Sequence, residues 1–118
     1  MIFALTVLAG ALGAVVRFLV DDLSRRRWPA AFPGPTFAIN VTGSLLIGLV
    51  AGLVMFGGAA SEWQVVVGTG FCGGYTTFST AAVETIRVGG RRGFIYGVAM
   101  LVGSVAACGV GLWLGWLL

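Results

Sequence analysis

The stretch from Phe37 to Phe56 contains no charged residue, and neither does Trp63 to Val83 or Gly93 to Leu118. A further apolar run, Ile2 to Val20, is interrupted only by Arg17. A helix needs ~20 apolar residues to cross the hydrocarbon core of a bilayer, so each run is long enough to span it. Transmembrane strands would be shorter and would alternate in polarity, which none of these runs does. Composition closes the aqueous alternative. The chain is 58% hydrophobic and 9% charged, against roughly 25% charged residues in a soluble domain. So few charges cannot cover so much apolar surface in water. The expected fold is an all-α integral membrane protein, one domain over residues 1–118, with spans at about 2–20, 37–56, 63–83 and 93–118 and the lipid bilayer as its main solvent.

The linkers hold the charges and the turn formers: Asp21 to Thr36 with three prolines, Gly57 to Glu62, and Glu84 to Arg92. The first run lacks a basic leading segment and is followed by further spans, so it reads as a first helix and not as a cleaved signal peptide. Both termini and the Gly57–Glu62 linker fall on one side of a four-span protein. That side carries no Lys or Arg, whereas the opposite side carries Arg25, Arg26, Arg27, Arg87, Arg91 and Arg92. Short loops obey the positive-inside rule well, which places the arginine-bearing loops in the cytoplasm and both termini outside. The net charge of +3 is thus topological information and gives no nucleic-acid footprint.

Glycines recur four apart at Gly48 and Gly52, Gly70 and Gly74, Gly93 and Gly97, and Gly111 and Gly115. Such pairs let helix backbones approach where lipid supplies no hydrophobic drive to association. Four helices enclose little interior, so an oligomer is expected. Cys72 and Cys108 lie in apolar surroundings with no metal-ligand or redox spacing and read as buried thiols. Without His, a membrane-embedded carboxylate pair or a nucleophile–base constellation, the chain has no visible machinery for an enzyme. Conduction or transport is the reading its polar residues favour.

Those residues are concentrated. Asn40 precedes Thr42 and Ser44; Thr76-Thr77-Phe78-Ser79-Thr80 follows Gly73-Gly74; Tyr96 and Ser104 share a helical face. Two glycines beside two β-branched threonines make poor helix at mid-span. Either the helix breaks and frees carbonyls that can hold a cation, or it kinks while hydroxyls back-bond to carbonyls. Amide and hydroxyl donors can replace water around an anion, and the edge of the Phe78 ring carries positive potential. Composition alone does not choose between anion and cation.

The run Gly70-Phe71-Cys72-Gly73-Gly74-Tyr75-Thr76-Thr77-Phe78-Ser79-Thr80 resembles the signature of the CrcB/Fluc fluoride channels. Asn40-Val41-Thr42-Gly43-Ser44 and Gly13-Ala14-Val15-Val16-Arg17 are similar to that family's second- and first-helix motifs, in the same order. The resemblance covers essentially the whole chain. It implies an antiparallel dimer of four-helix subunits, the third helix broken near its middle within Gly73 to Thr77. It also implies a fluoride-specific channel exporting fluoride from the cytoplasm, with a structural Na⁺ at the dimer centre. By the same resemblance, backbone carbonyls of Gly73 and Thr76 hold the sodium, Asn40 donates to fluoride and Phe78 lines the pore. Ser79, Thr80, Tyr96 and Ser104 supply a hydroxyl track, with Arg17 and Glu84 in the vestibules at helix ends.

Two positions depart from the family pattern. Ala81 stands where a second Phe often occurs, and Met100 where a Ser often occurs. Either the pore is rebuilt from other groups or one pathway of the dimer is degraded. The one-sided arginine distribution implies a dominant orientation, which favours a related paralogous subunit as the antiparallel partner, whereas the family resemblance favours a second copy. A four-helix dual-topology antiporter is the main alternative function, but its first span would need an acidic residue and here holds only Arg17. A non-conducting membrane subunit is the other.

Overall fold

The computed structural model describes residues 1–27 and 34–118. Helix α1 is Ile2–Arg27 and α2 is Gly34–Phe56. The third apolar run is divided between α3, residues 61–75, and α4, Ser79–Val88. Helix α5, Gly90–Leu117, completes the chain. Among the described residues all regular structure is helical. α1, α2 and α5 are each long and apolar enough to cross a membrane. The molecule is 45 Å in its longest dimension, comparable to a bilayer of about 40–45 Å including headgroups.

Two of the expected linkers are shorter than the charge pattern suggested. α1 continues seven residues beyond Val20 because its charges pair along the helix surface. Arg25 Nε lies 3.1 Å from Asp21 Oδ2, and an Arg26 nitrogen lies 3.1 Å from Asp22 Oδ2. Both pairs are spaced four apart, and three arginines in the last turn favour the negative end of the helix dipole. Arg17 is therefore well inside α1 and not at its end. α2 starts at Gly34 with Pro35 in the first turn, where a missing N–H costs nothing, so Asn40 lies in its second turn. Between α4 and α5 only Gly89 intervenes. Its φ of 68°, with 57° at Gly90, makes a reversal that a side chain would resist. The remaining arginines of the expected linkers, Arg87, Arg91 and Arg92, are helical.

Packing follows the glycines. α2 and α5 form the most extensive helix pair. A methyl group on Gly48 would strike the backbone of Cys108, and one on Gly111 would strike Leu45 O and come within 2.7 Å of Leu49 N. Gly52 and Gly115 face one another: a Cβ on Gly115 would lie 2.7 Å from Gly52 Cα. α1 pairs with α3 in the same manner, Gly74 against Gly10 and Gly13 against Phe71 and Tyr75. Gly93 and Gly97 of α5 abut Thr85 of α4. Every glycine of the four pairs except Gly97, which meets the Thr85 side chain, thus lies against backbone. Cys72 is fully buried and Cys108 half-buried, both as free thiols.

α3 is wound unusually. Gln64–Cys72 is a π-helix, flanked by single α-turns at Ser61–Trp63 and Gly73–Tyr75. Such i→i+5 winding is rare and concentrates at functional sites. Helical geometry then stops at Thr76, whose φ of −80° and ψ of 160° are extended, and resumes at Ser79. The third helix is broken as expected, at the C-terminal part of the expected stretch and one residue beyond it, over Thr76, Thr77 and Phe78. Gly73 and Gly74 remain helical. Gly74 is used for packing on α1, which explains a glycine there without a break.

Candidate functional site

The break is held by a side chain from another helix. Asn40 Nδ2 donates to Thr77 O at 2.8 Å, and Thr77 N donates to Asn40 Oδ1 at 2.9 Å. One amide side chain thereby pairs both polar groups of one residue in a segment that has left the helix. Backbone groups inside a membrane must find such partners. The second Asn40 N–H points to Met100 Sδ at 3.5 Å. Asn40 can reach Thr77 because Gly43, one turn further along α2, lies against the methyl of Thr76 and the ring of Tyr75 with no Cβ in between. Thr42 and Tyr75 join their hydroxyls at 2.9 Å across the same contact.

Hydroxyl back-bonding occurs alongside the break, so the two readings of this segment coexist. Thr76 Oγ1 donates to Cys72 O at 2.8 Å, and Thr85 Oγ1 donates to Ala81 O at 2.7 Å. Thr80 N donates to Thr77 Oγ1 at 3.2 Å, capping the start of α4. These substitutions release particular carbonyls. With Thr77 N on Asn40 and Thr80 N on Thr77 Oγ1, the carbonyls of Gly73 and Thr76 lose the donors that an unbroken helix would give them. Gly73 is exposed, and a Cβ there would meet nothing within 4 Å. A hard oxygen-preferring cation suits such carbonyls, and the residues present fit that group.

The expected pathway residues fall into two groups. Asn40, Phe78 and Ser104 line one cavity of about 580 Å³ together with Ala81, Met100 and Gly97. Phe78 is 87% exposed, standing at the rim of that cavity on the outer surface of the subunit. Ser79 and Thr80 instead line a separate cavity of about 220 Å³ with Arg25, Glu84 and Arg87. Tyr96 belongs with this second group, because its hydroxyl donates to Glu84 Oε1 at 3.3 Å. Arg17 lines a third cavity of about 200 Å³ with Asp21, Thr77 and Thr80, on the far side of the break.

Glu84 is buried, and Arg25 Nη2 approaches its Oε2 at 3.4 Å while Arg25 Nε lies 3.1 Å from each Asp21 oxygen. This contact ties the end of α1 to α4 and puts the Arg25–Arg27 and Arg87 clusters at one end of the bundle. Reading the sequence gave Arg25 no role beyond topology. The four-residue spacing of Asp21 and Arg25 was a signal for their pair, but nothing local links Arg25 to Glu84. Met100 as a partner of Asn40, and Asn40 as the clamp on Thr77, were equally hidden.

A bundle of apolar, glycine-packed helices with a polar break at mid-span is a multi-pass helical membrane protein of the channel or transporter type. The family model described as CrcB-like protein, camphor resistance (CrcB), matches residues 4–116. The chain belongs to the CrcB family. It is 48% identical over 112 residues to fluoride-specific ion channel FluC 1 of Leifsonia xyli, covering 92% of this chain and 82% of the relative. It is 46% identical over 113 residues to FluC 2 of Cutibacterium acnes, covering 92% of each. To FluC 1 of Symbiobacterium thermophilum it is 44% identical over 122 residues, covering 98% of each.

Proposed function

We propose that this chain is one subunit of a fluoride-specific ion channel in the bacterial cell membrane, passing fluoride out of the cytoplasm. It is a conductor and not an enzyme. Relatives named as fluoride channels along almost its full length support the ion. The observation that carries the mechanism is the Asn40–Thr77 clamp, which sets an amide donor beside an open polar break. Fluoride is small and strongly hydrated, so a pathway must offer donors in place of water. Asn40 and the Ser104 hydroxyl line one cavity with Phe78, whose ring edge is electropositive. None of these groups is a fixed cation, so the ion is held weakly enough to leave.

Ser79, Thr80, Tyr96, Glu84 and Arg25 form the second polar path, toward the arginine-rich end. The Arg17 cavity is a vestibule. The exposed Phe78 and Gly73 are left for an antiparallel partner, a second copy or a related paralogous chain, to cover. Gly73 and Thr76 carbonyls would hold Na⁺ with their counterparts in that partner, and the bound ion would supply positive charge that fixes the two breaks together. The decisive experiment is fluoride efflux from liposomes containing the purified protein. Fluoride should leave and chloride should not, and Asn40→Leu should abolish the flux with assembly intact. Equal efflux from Asn40→Leu, or none from the wild type paired with any related subunit, would refute the assignment.

A further inference from the structure

Met100 occupies the position beside Asn40 that a permeating anion would need. The Asn40 amide has four hydrogen-bonding directions of interest, and the clamp uses its oxygen and one N–H on Thr77. The amide is therefore fixed in orientation, and its remaining N–H is directed at Met100 Sδ, 3.5 Å away. A thioether is a weak acceptor. An anion at that N–H would make a charge-assisted bond, roughly twice as strong as a neutral one. The donor itself thus favours exchange of sulfur for ion. What opposes exchange is the methionine side chain, which is 8% exposed and has to move.

The surroundings permit that movement. Met100 lines the cavity of about 580 Å³, whose wall at Ala81 and Gly97 carries a methyl group and no side chain, respectively. Methionine is unbranched and turns about three bonds, so it can bend into irregular space that a branched residue cannot use. We propose that Met100 is a displaceable plug: its thioether holds the free N–H of Asn40 at rest, and an entering anion conducts only by pushing it aside. The proposal rests on the fluoride-channel reading. It adds that the rate is set by a residue which neither donates to nor binds the ion.

The test is fluoride efflux from liposomes over a range of fluoride concentrations, with Met100→Ala, Met100→Ser, Met100→Leu and Met55→Leu. Met55 is 64% exposed and serves as the control, with wild-type flux expected. The plug requires Met100→Ala and Met100→Ser to be about tenfold faster and to half-saturate at lower fluoride, as removal of a barrier the size of one weak contact predicts. Met100→Leu keeps the bulk but is branched, and should be about tenfold slower than wild type. A purely packing role predicts the reverse order, with leucine tolerated and alanine harmful. Alanine no faster than wild type, or leucine as fast, overturns the plug. Should the alanine variant fail to elute as the assembled protein, the serine variant decides. The two readings fail differently. Wild-type flux abolished by Asn40→Leu but unmoved by Met100→Ala removes the plug alone, whereas no flux from any form removes both.

Discussion

Replacing Asn40 by leucine should loosen the break before it affects anything else. The side chain makes two short bonds to Thr77, at 2.8 and 2.9 Å, and leucine of similar size can make neither. Thr77 then keeps an N–H and a C=O with no helical partner. Leaving a buried polar group unpaired costs about 1–3 kcal/mol, while side-chain hydrogen bonds within membranes average nearer 0.6 kcal/mol. Because both groups lose their partner and Thr77 is half-buried, about 2 kcal/mol for the pair is the working figure. That corresponds to roughly 30-fold in the local opening equilibrium, at a tenfold change per 1.4 kcal/mol. Hydrogen–deuterium exchange of a peptide covering residues 76–78 reads it directly. The Thr77 amide should exchange about 30 times faster in Asn40→Leu, with the α2–α5 amides unchanged. Asn40→Asp keeps the acceptor for Thr77 N, so that amide should stay slow even though fluoride flux falls. Unaltered exchange over 76–78 in the leucine variant would show that Asn40 does not hold the break, and the account of the site would fail with it.

Other substitutions test other contacts. Gly111→Ala drives a methyl into the Leu45–Leu49 backbone and should destabilise the assembled protein by about 1–3 kcal/mol, seen as a lower melting temperature in detergent. Gly109→Ala, where a Cβ would meet nothing within 4 Å, should change stability by less than about 0.5 kcal/mol. A double-mutant cycle of Arg25→Gln with Glu84→Gln should give a coupling of about 1 kcal/mol, the upper range for a partly exposed pair; zero coupling would make the contact incidental. A cysteine added after Leu118, in a background free of Cys72 and Cys108, should label from outside the cell only, as the arginines at the other end require. Equal labelling from both sides would restore a dual-topology homodimer.

The sequence made the number of spans legible because lipid imposes a length that charge-free runs satisfy or do not. Backbone contact was legible for a related reason, since Gly48, Gly52, Gly111 and Gly115 repeat at the helical period. Helix ends were misjudged where charges had partners. Asp21 and Asp22 look like loop residues until Arg25 and Arg26 are placed one turn away. The break was expected from the residues that disfavour helix most, yet it lies on the threonines and not on Gly73-Gly74. What decides is the long-range clamp from Asn40, and a contact across 37 positions leaves no local trace. The same holds for the division of the hydroxyls. Tyr96 and Ser104 share a face of α5, but Glu84 draws Tyr96 to one cavity while Ser104 lines another.

The π-helical winding of Gln64–Cys72 bears on how this chain can change length. Each i→i+5 turn contains one residue more than an α-turn spanning the same place in the bundle. The segment therefore stores spare chain upstream of the break. Loss of a single residue there can be absorbed by rewinding a turn to α geometry, with Gly74 still on Gly10 and Thr77 still under Asn40. A deletion in α2 has no such reserve, since it would rotate Gly48 and Gly52 off the face that meets α5. Length variation among natural or engineered variants should consequently be tolerated in the first half of the broken helix and purged from its neighbours.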